Sequence, residues 1–182
     1  CPSSYDNIDI LPATMGLATL DRALGNKGGM GLVLKKALRA IDSEYDYVLI
    51  DCPPVLGVLM VNALAASDRI IVPVQTEFLA LKGLDRMMKT LDIMQAQQPS
   101  GFKYTIVPTM FDKRTKASIL TYQKLLTLYG EDVWSAVIPI DTNFRNASNA
   151  QKVPSDYAAK SRGVIAYRDL LTYLVNLTTQ SK

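Results

Sequence analysis

The stretch at residues 45–54, Tyr-Asp-Tyr-Val-Leu-Ile-Asp-Cys-Pro-Pro, constrains the fold of this chain more than any other. The apolar run at residues 48–50 has the length of a strand that is buried on both faces of a parallel sheet. It ends in a single acid, Asp51, which would lie at the carboxyl edge, where open α/β sheets bind ligands. Pro53 and Pro54 then prevent the strand from continuing and the chain from entering a helix at once. We therefore predict a buried strand that ends at Asp51.

Asp51 supports two interpretations. A carboxylate at that edge can hold the water shell of a magnesium ion bound to a nucleotide, as a Walker B acid does. Many parallel strands, however, end in an Asp that caps the following helix. The residue by itself favours neither interpretation.

The composition sets limits on both fold and chemistry. With 182 residues, 48% of them apolar, the chain can form a single domain over residues 1–182 with a real core. Lys and Arg number 20 against 17 Asp and Glu, a net charge of +3, which permits a local basic patch without requiring nucleic acid. Histidine is absent, which excludes histidine-based acid–base chemistry. The two cysteines give no disulfide framework, so a cytoplasmic location is the simpler expectation.

Predicted strands and helices alternate along the chain. We predict strands at residues 8–11, up to 51, 69–74, 103–109 and 133–139, and helices at about 15–24, 30–41, 57–66, 79–95, 118–129 and 164–177. This order implies right-handed crossovers and a mainly parallel sheet. Pro73 and Pro108 are awkward inside central strands, so we expect them at strand ends. The longest apolar stretch, residues 55–66, is too short to cross a bilayer, and the last residues are polar, so we expect no membrane anchor.

Further motifs follow residues 45–54 in a fixed order. They are Asn62-Ala-Leu64, Val72-Pro-Val-Gln75, Ala80-Leu-Lys-Gly-Leu84, Thr109-Met-Phe-Asp-Lys-Arg114, Ile138-Pro139 and Lys160-Ser-Arg-Gly-Val-Ile-Ala-Tyr167. This succession resembles the ParA partition ATPases, which belong with MinD-type proteins to the deviant Walker A class. The resemblance implies an α/β, three-layer P-loop NTPase (Rossmann-like) fold, with a mainly parallel sheet flanked by helices. It also implies ATP and Mg²⁺ as cofactors and an ATP-bound homodimer.

The resemblance assigns roles around the phosphates. Asp51 would be the Walker B acid and would act on magnesium through water. Cys52, Pro53 and Pro54 would form the turn that senses the γ-phosphate, and Gly57 would let the backbone approach the nucleotide or the dimer partner. Cys52 is equally typical of a small packing residue, and Gly57 of a simple turn glycine.

The resemblance also assigns contacts near the nucleotide base. One segment contributes Thr109, Asp112 and Arg114, and a second contributes Pro139, Asp141 and Arg145. The alternative for Asp112 and Arg114 is a surface ion pair of little energetic value. Many relatives carry an Arg-x-x-Glu-Ala pattern in the second segment, and residues 145–150 lack its acid.

The segment Lys-Gly-Gly-Met-Gly at residues 27–31 looks like the start of a Walker A motif. A working P-loop ends in Gly-Lys-Ser/Thr, so that the lysine meets phosphate and the hydroxyl meets magnesium, whereas Leu32 and Val33 follow here. We interpret the segment as an ordinary glycine-rich loop. We therefore expect the first strand and the P-loop to lie before Cys1, and this fragment alone to hydrolyse ATP poorly or not at all.

Basic residues recur at three places and suggest contact with DNA phosphates. Candidate contacts are Lys82, Arg86, Lys116, Lys152, Lys160 and Arg162. Such groups give sequence-independent, salt-sensitive binding. The alternative is a set of solvated helix faces.

The resemblance leads to a functional expectation. The parent would be a slow, partner-stimulated ATP hydrolase that positions DNA or a polar protein cluster, with a ParB-like or polar-cluster adaptor as partner. Residues 55–60 and 153–160 look closer to ParA-like proteins linked with chemotaxis arrays. Two alternatives remain: a non-catalytic interaction module on the same fold, and an ATP-dependent biosynthetic enzyme of the cobyrinic-acid-synthetase type.

Overall fold

The computed structural model describes residues 1–17, 19, 30–52, 57–95 and 101–179. The chain divides into two compact units, Cys1–Asp68 and Arg69–Lys182. Pro53, Pro54, most of the predicted helix at residues 15–24 and most of the glycine-rich loop at residues 27–31 lie outside the described residues. The prediction that residues 1–182 form a single domain stays a prediction.

In the described part of the first unit, two helices are held together by a buried amide. The elements there include the 3₁₀ turn Met30–Leu32, α1 (Val33–Arg39) and α2 (Val58–Ala66). The Oδ1 atom of Asn62 accepts a hydrogen bond from the Leu34 backbone N–H at 3.0 Å, and its Nδ2 donates to the Val58 carbonyl at 2.8 Å. Because a buried amide without partners would be costly, this side chain fixes how α1 and α2 pack.

The two strands predicted in the first unit are not formed. The apolar run before Asp51 has no strand partner among the described residues, and Leu49 is 90% exposed. The strand predicted at residues 8–11 is reduced to one antiparallel bridge between Pro2 and Asp9. A strand satisfies its backbone N–H and C=O groups only through neighbouring strands. Among the described residues the apolar run has no such neighbour, and Val48 and Leu49 stay exposed.

The second unit contains the parallel sheet that the sequence predicts. Strand β1 (Ile70–Gln75) pairs with β2 (Tyr104–Thr109) in parallel, with Ile70 opposite Tyr104 and Gln75 opposite Thr109. The strand predicted at residues 133–139 is reduced to single parallel bridges at its two ends, opposite Ile106 and Phe111. Strand β2 therefore lies between β1 and the segment at residues 133–139, and residues 105–108 within it are fully buried.

The two strand prolines lie inside the strands and not at their ends, contrary to the prediction. Backbone groups in a parallel strand point alternately to either side. Ile70 N–H bonds towards β2, so Pro73, three residues later, points to the outer edge of β1. Pro108 points to the other side of β2, where only its carbonyl is needed, to accept from Ile138 N–H at 2.8 Å. Neither proline therefore removes a hydrogen bond from the ladder between β1 and β2.

Helices flank this sheet, which confirms the predicted α/β class. They are α3 (Phe78–Gln95), α4 (Lys116–Tyr129), α5 (Thr142–Asn149), α6 (Pro154–Tyr157) and α7 (Arg162–Thr179), with a 3₁₀ turn at Gly130–Asp132. A buried cluster of Val107, Trp134, Ile138 and Leu170 packs α7 onto the sheet. Among the described residues, no helix is both long enough and apolar enough to cross a membrane.

Candidate functional site

A cavity of about 700 Å³ lies in the second unit, beyond the carboxyl end of β2. Three chain segments form it: the loop after β2, the chain leading into α5, and the start of α7. Its lining residues are Phe111, Asp112, Lys113, Arg114, Val137, Pro139, Ile140, Asp141, Thr142, Asn143, Lys160, Ser161 and Arg162. Open α/β sheets place their ligands at this edge, so the cavity is the candidate site.

Asp112 and Arg114 form a closed pair on one wall of this cavity. The Arg114 guanidinium donates from Nε to Oδ1 of Asp112 at 2.9 Å and from Nη2 to Oδ2 at 2.8 Å. The Arg114 backbone N–H donates to Oδ1 as well, at 3.0 Å. These hydrogen bonds lower the pKa of Asp112 to about 2. The carboxylate is therefore ionised at neutral pH and occupied within the loop, whereas the Arg114 side chain stays 82% exposed and open to a ligand.

Asp141, another lining residue of the cavity, holds two helices together. Its Oδ1 accepts from the Asn143 backbone N–H at 2.9 Å and caps α5, while its Oδ2 accepts from the Gly163 N–H at 2.8 Å in the first turn of α7. Partial burial raises the pKa of Asp141, but the hydrogen bonds from Gly163 and Asn143 outweigh it, and the net pKa lies below its usual value. Asp141 therefore connects α5 with the start of α7, and its predicted contact near the nucleotide base stays a prediction.

Gly163 is required at this junction because a side chain would not fit. A Cβ there would lie 2.3 Å from Cε2 of Phe144 and 3.0 Å from Cβ of Asp141. The start of α7 can approach Asp141 closely only because this position lacks a Cβ. The sequence pattern Ser-Arg-Gly at residues 161–163 thus has a packing reason.

The charge on the cavity wall is positive. Four basic residues, Lys113, Arg114, Lys160 and Arg162, face two acids, Asp112 and Asp141. Because internal hydrogen bonds already occupy both acids, the wall favours an anionic ligand such as a phosphate ester. Phe111, Pro139 and Ile140 provide an apolar surface beside these charges.

The cavity brings together most of the base-side residues that the sequence predicts. Asp112, Arg114, Pro139 and Asp141 line it, together with two residues predicted as DNA contacts, Lys160 and Arg162. Thr109 ends β2 just before the cavity loop and is not a lining residue. Arg145 is exposed on α5 and does not line the cavity.

The predicted phosphate-side residues lie in the first unit. Asp51 and Cys52 are exposed among the described residues, and both interpretations of Cys52 stay predictions. Desolvation, followed by the charge of Asp51, raises the pKa of the Cys52 thiol and disfavours a reactive thiolate. Gly57 precedes α2 with an extended φ of −157°, which any residue adopts. The functional roles of these residues stay predictions.

The remaining basic candidates are spread over the second unit. Lys82 and Arg86 are exposed on α3, and Lys82 Nζ lies 5.2 Å from the centroid of the Phe78 ring. Lys116 is exposed at the first position of α4, and Lys152 is exposed just after α5. Each stays a predicted DNA contact.

Several site residues were missed by sequence reasoning. Phe111, Ile140 and Asn143 line the cavity, and two buried hydroxyls, Thr76 and Ser118, lie behind its loop. The capping patterns at Asp141-x-Asn143 and Thr115-x-x-Ser118 were available signals, since short polar residues before a helix bond its first N–H groups.

Comparison with known proteins shows the family. A family described as an AAA domain matches residues 1–104. The sporulation initiation inhibitor protein Soj of Bacillus subtilis is 35% identical over 169 residues, which cover 92% of this chain and 67% of that protein. The chromosome partitioning protein ParA of Myxococcus xanthus is 32% identical over 91% of this chain and 59% of its own length. The chain therefore belongs to the ParA/MinD-type P-loop ATPase family, and it spans about three fifths to two thirds of these two relatives.

Solved structures agree with this fold. A cobyrinic acid a,c-diamide synthase from Mycobacterium smegmatis, with bound ATP analogue and magnesium, is 32% identical with a TM-score of 0.77, covering 94% of this chain and 64% of that one. A plasmid partition protein from Borrelia burgdorferi bound to AMPPNP has a TM-score of 0.75 at 21% identity, covering 96% of this chain and 67% of that one. The second likeness shows the fold alone.

Proposed function

We propose that this chain is part of a ParA-type ATPase that binds ATP with Mg²⁺ and dimerises when ATP is bound. Hydrolysis, slow and stimulated by a ParB-like or polar-cluster adaptor, would drive the positioning of DNA or of a polar protein cluster in the cytoplasm. The observation that carries this proposal is the cavity beyond β2. Three segments of this ParA-family chain line the cavity. Together they provide both apolar and positively charged side chains.

The cavity suits a nucleotide by size and chemistry. Its volume of about 700 Å³ falls in the range of small-molecule sites. Phe111, Pro139 and Ile140 offer an apolar surface for a base, while Lys160 and Arg162 offer donors for phosphate or ribose oxygens.

Asp51 is the proposed magnesium residue. Mg²⁺ prefers oxygen ligands and keeps several waters, so an exposed carboxylate can hold it through water. The ion would neutralise the negative charge that develops on the phosphates during transfer.

The role of Asp51 is tested by Asp51→Ala in the full-length protein. We expect ATP-dependent dimerisation to be lost while the far-UV circular dichroism stays unchanged. Light scattering after size exclusion, with and without Mg–ATP, measures this. Asp46→Ala is the matched control, because Asp46 is also exposed and lies five residues earlier. Dimerisation by Asp51→Ala equal to wild type would contradict the assignment.

Substitutions on α3 and in the cavity should affect DNA binding and nucleotide binding separately. The variant Lys82→Ala/Arg86→Ala removes two charges from α3 and is expected to weaken DNA retention and to reduce the salt slope by about 2. The variant Lys160→Ala/Arg162→Ala should weaken ATP binding, because both residues line the cavity. DNA retention that ignores salt, or no retention at all, would indicate a protein-only target.

One observation favours a second candidate function. The Mycobacterium smegmatis structure at 32% identity is described as a cobyrinic acid a,c-diamide synthase. ATP turnover decides between the two candidates: stimulation by DNA or an adaptor supports positioning, and stimulation by cobyrinic acid with glutamine or ammonia supports amide synthesis. A protein that binds partners without any turnover would be the non-catalytic module.

A further inference from the structure

A pair of buried hydroxyls lies directly behind the cavity loop. Thr76 follows β1 and is 1% exposed, and Ser118 lies in the first turn of α4 and is 4% exposed. Their hydroxyl oxygens are hydrogen-bonded to each other across 42 residues of sequence. Neither side chain lines the cavity, yet together they connect the end of β1 with the loop that does.

The donors and acceptors around this pair favour one arrangement of its two hydroxyl protons. The Asp112 N–H donates to Ser118 Oγ at 3.1 Å. Thr76 Oγ1 reaches the carbonyls of Thr109 at 3.3 Å and Met110 at 3.4 Å, and a carbonyl can only accept. Either hydroxyl could donate in the hydrogen bond between Thr76 and Ser118. The contacts with the carbonyls require Thr76 to donate, and in that arrangement Ser118 donates to Thr76. The hydrogen bonds therefore run in series from Asp112 through Ser118 and Thr76 to the end of β2.

These hydrogen bonds hold Met110 in a backbone conformation that its own φ/ψ preferences disfavour. Met110 has a φ of +53°, in the left-handed region that non-glycine residues rarely adopt. Such a conformation persists only where its surroundings enforce it. The carbonyl of Met110 is bonded at this point, and the next four residues, 111–114, form one wall of the cavity.

The far end of the same loop is held by the helix that carries Ser118. Thr115 caps α4 by accepting from the Ser118 N–H at 3.3 Å, and its own N–H donates to the Asp112 carbonyl at 3.1 Å. Asp112 is thus bonded through its N–H, its carbonyl and its carboxylate. The orientation of the Asp112–Arg114 pair in the cavity depends on these contacts.

We propose that Thr76 and Ser118 are positioning residues, which hold the loop at residues 110–114 in its ligand-binding shape and couple it to the end of β1. The ligand in this statement rests on the proposed function, namely ATP. Removing either hydroxyl leaves the other buried without one partner, which destabilises the whole series rather than one bond.

The test uses Ser118→Ala and Thr76→Val in the full-length protein. ATP affinity, by calorimetry with Mg²⁺, is expected to fall by about three- to tenfold in each, the effect of one lost hydrogen bond. Amide hydrogen exchange at Asp112, in nucleotide-free protein, is expected to become faster in both. The double variant should lose no more than the worse single variant, because the bonds act in series. Thr76→Ser keeps the hydroxyl and should restore both properties.

Thr121→Val is the matched control, because Thr121 is also buried on α4, one turn beyond Ser118. It should leave Asp112 exchange and ATP affinity unchanged even if it lowers the melting temperature. Wild-type exchange and affinity in Ser118→Ala would overturn the inference, as would fully additive losses in the double variant. If Ser118→Ala does not fold, the inference is tested by comparing Asp112 exchange and ATP affinity between Thr76→Val and Thr76→Ser. If the wild-type protein binds no ATP, the proposed function fails, and exchange at Asp112 still decides whether the loop is held in this way.

Discussion

Two short apolar segments of this chain have similar sequences but adopt different structures. The run before Asp51 and strand β1 are both short and rich in Val, Leu or Ile, and both are predicted as buried strands. Strand β1 pairs with β2 and buries Val72 and Val74, whereas Leu49 in the other run is 90% exposed. An apolar run therefore becomes a strand only where a second strand lies beside it.

The difference extends to the two units that contain these segments. In the second unit, β2 lies between β1 and the segment at residues 133–139, and a cluster of buried side chains packs against α7. The first unit has one strand-like bridge among its described residues and keeps Tyr47, Val48 and Leu49 exposed. The two units should therefore respond differently to the same substitution.

The largest expected difference comes from one leucine in each unit. Leu125 in α4 is 0% exposed, so Leu125→Ala should lower the free energy of unfolding by about 2–5 kcal/mol. Leu49→Ala removes an exposed side chain and should change it by less than about 0.5 kcal/mol. Urea denaturation of the chain of residues 1–182 measures both. An equal loss in Leu49→Ala would contradict the comparison, since it would show that residue 49 is buried in solution.

A second comparison uses one glycine in each unit. Gly163→Ala places a Cβ against Phe144 and Asp141 and should cost about 1–3 kcal/mol, because an aromatic ring and a capping residue must both move. Gly31→Ala meets only a methyl group of Val61, at 2.8 Å, which can rotate away, so its cost should be smaller. Melting temperatures by calorimetry rank the two variants. A larger loss in Gly31→Ala would mean that the first unit is the more tightly packed one.

The smallest expected effect sharpens the description of the cavity loop. Because the Asp112 pKa is lowered from 3.8 to about 2, its ion pair stabilises the loop fully above its unfolded pKa, and this contribution is lost as the pH falls from about 4 through 2. In Arg114→Gln the carboxyl should titrate closer to 3.8. Carbon NMR of the Asp112 carboxyl follows both titrations. A wild-type midpoint near 3.8 would show that the pair is open in solution.

Much of the second unit could be predicted from the sequence. The predicted strands at residues 69–74 and 103–109 match β1 and β2 to within one residue at each end. The helices predicted at residues 79–95 and 118–129 match α3 and α4 to within two residues, because their apolar spacing reflects the face that they bury. The strand at residues 133–139 was wrong as a continuous strand, since only its ends form bridges to the segment beside it.

The candidate site could be predicted in part. Asp112, Arg114, Pro139 and Asp141 follow from motif order, and all four line one cavity. Lys160 and Arg162 line the same cavity, and their predicted contact with DNA stays a prediction. The Thr76–Ser118 pair has no local signal, because its two members are 42 residues apart and meet only in the folded chain.

The family, the alternation of strands and helices, and the order of the segments that reach the cavity can all be read from the linear chain. These features depend on local spacing and on residue types, which the linear chain contains in full. Folding is needed to establish which apolar run pairs, where the two prolines point, and which hydroxyls meet behind the cavity loop. Each of these depends on contacts between residues far apart in sequence, and such contacts exist only once the chain has folded.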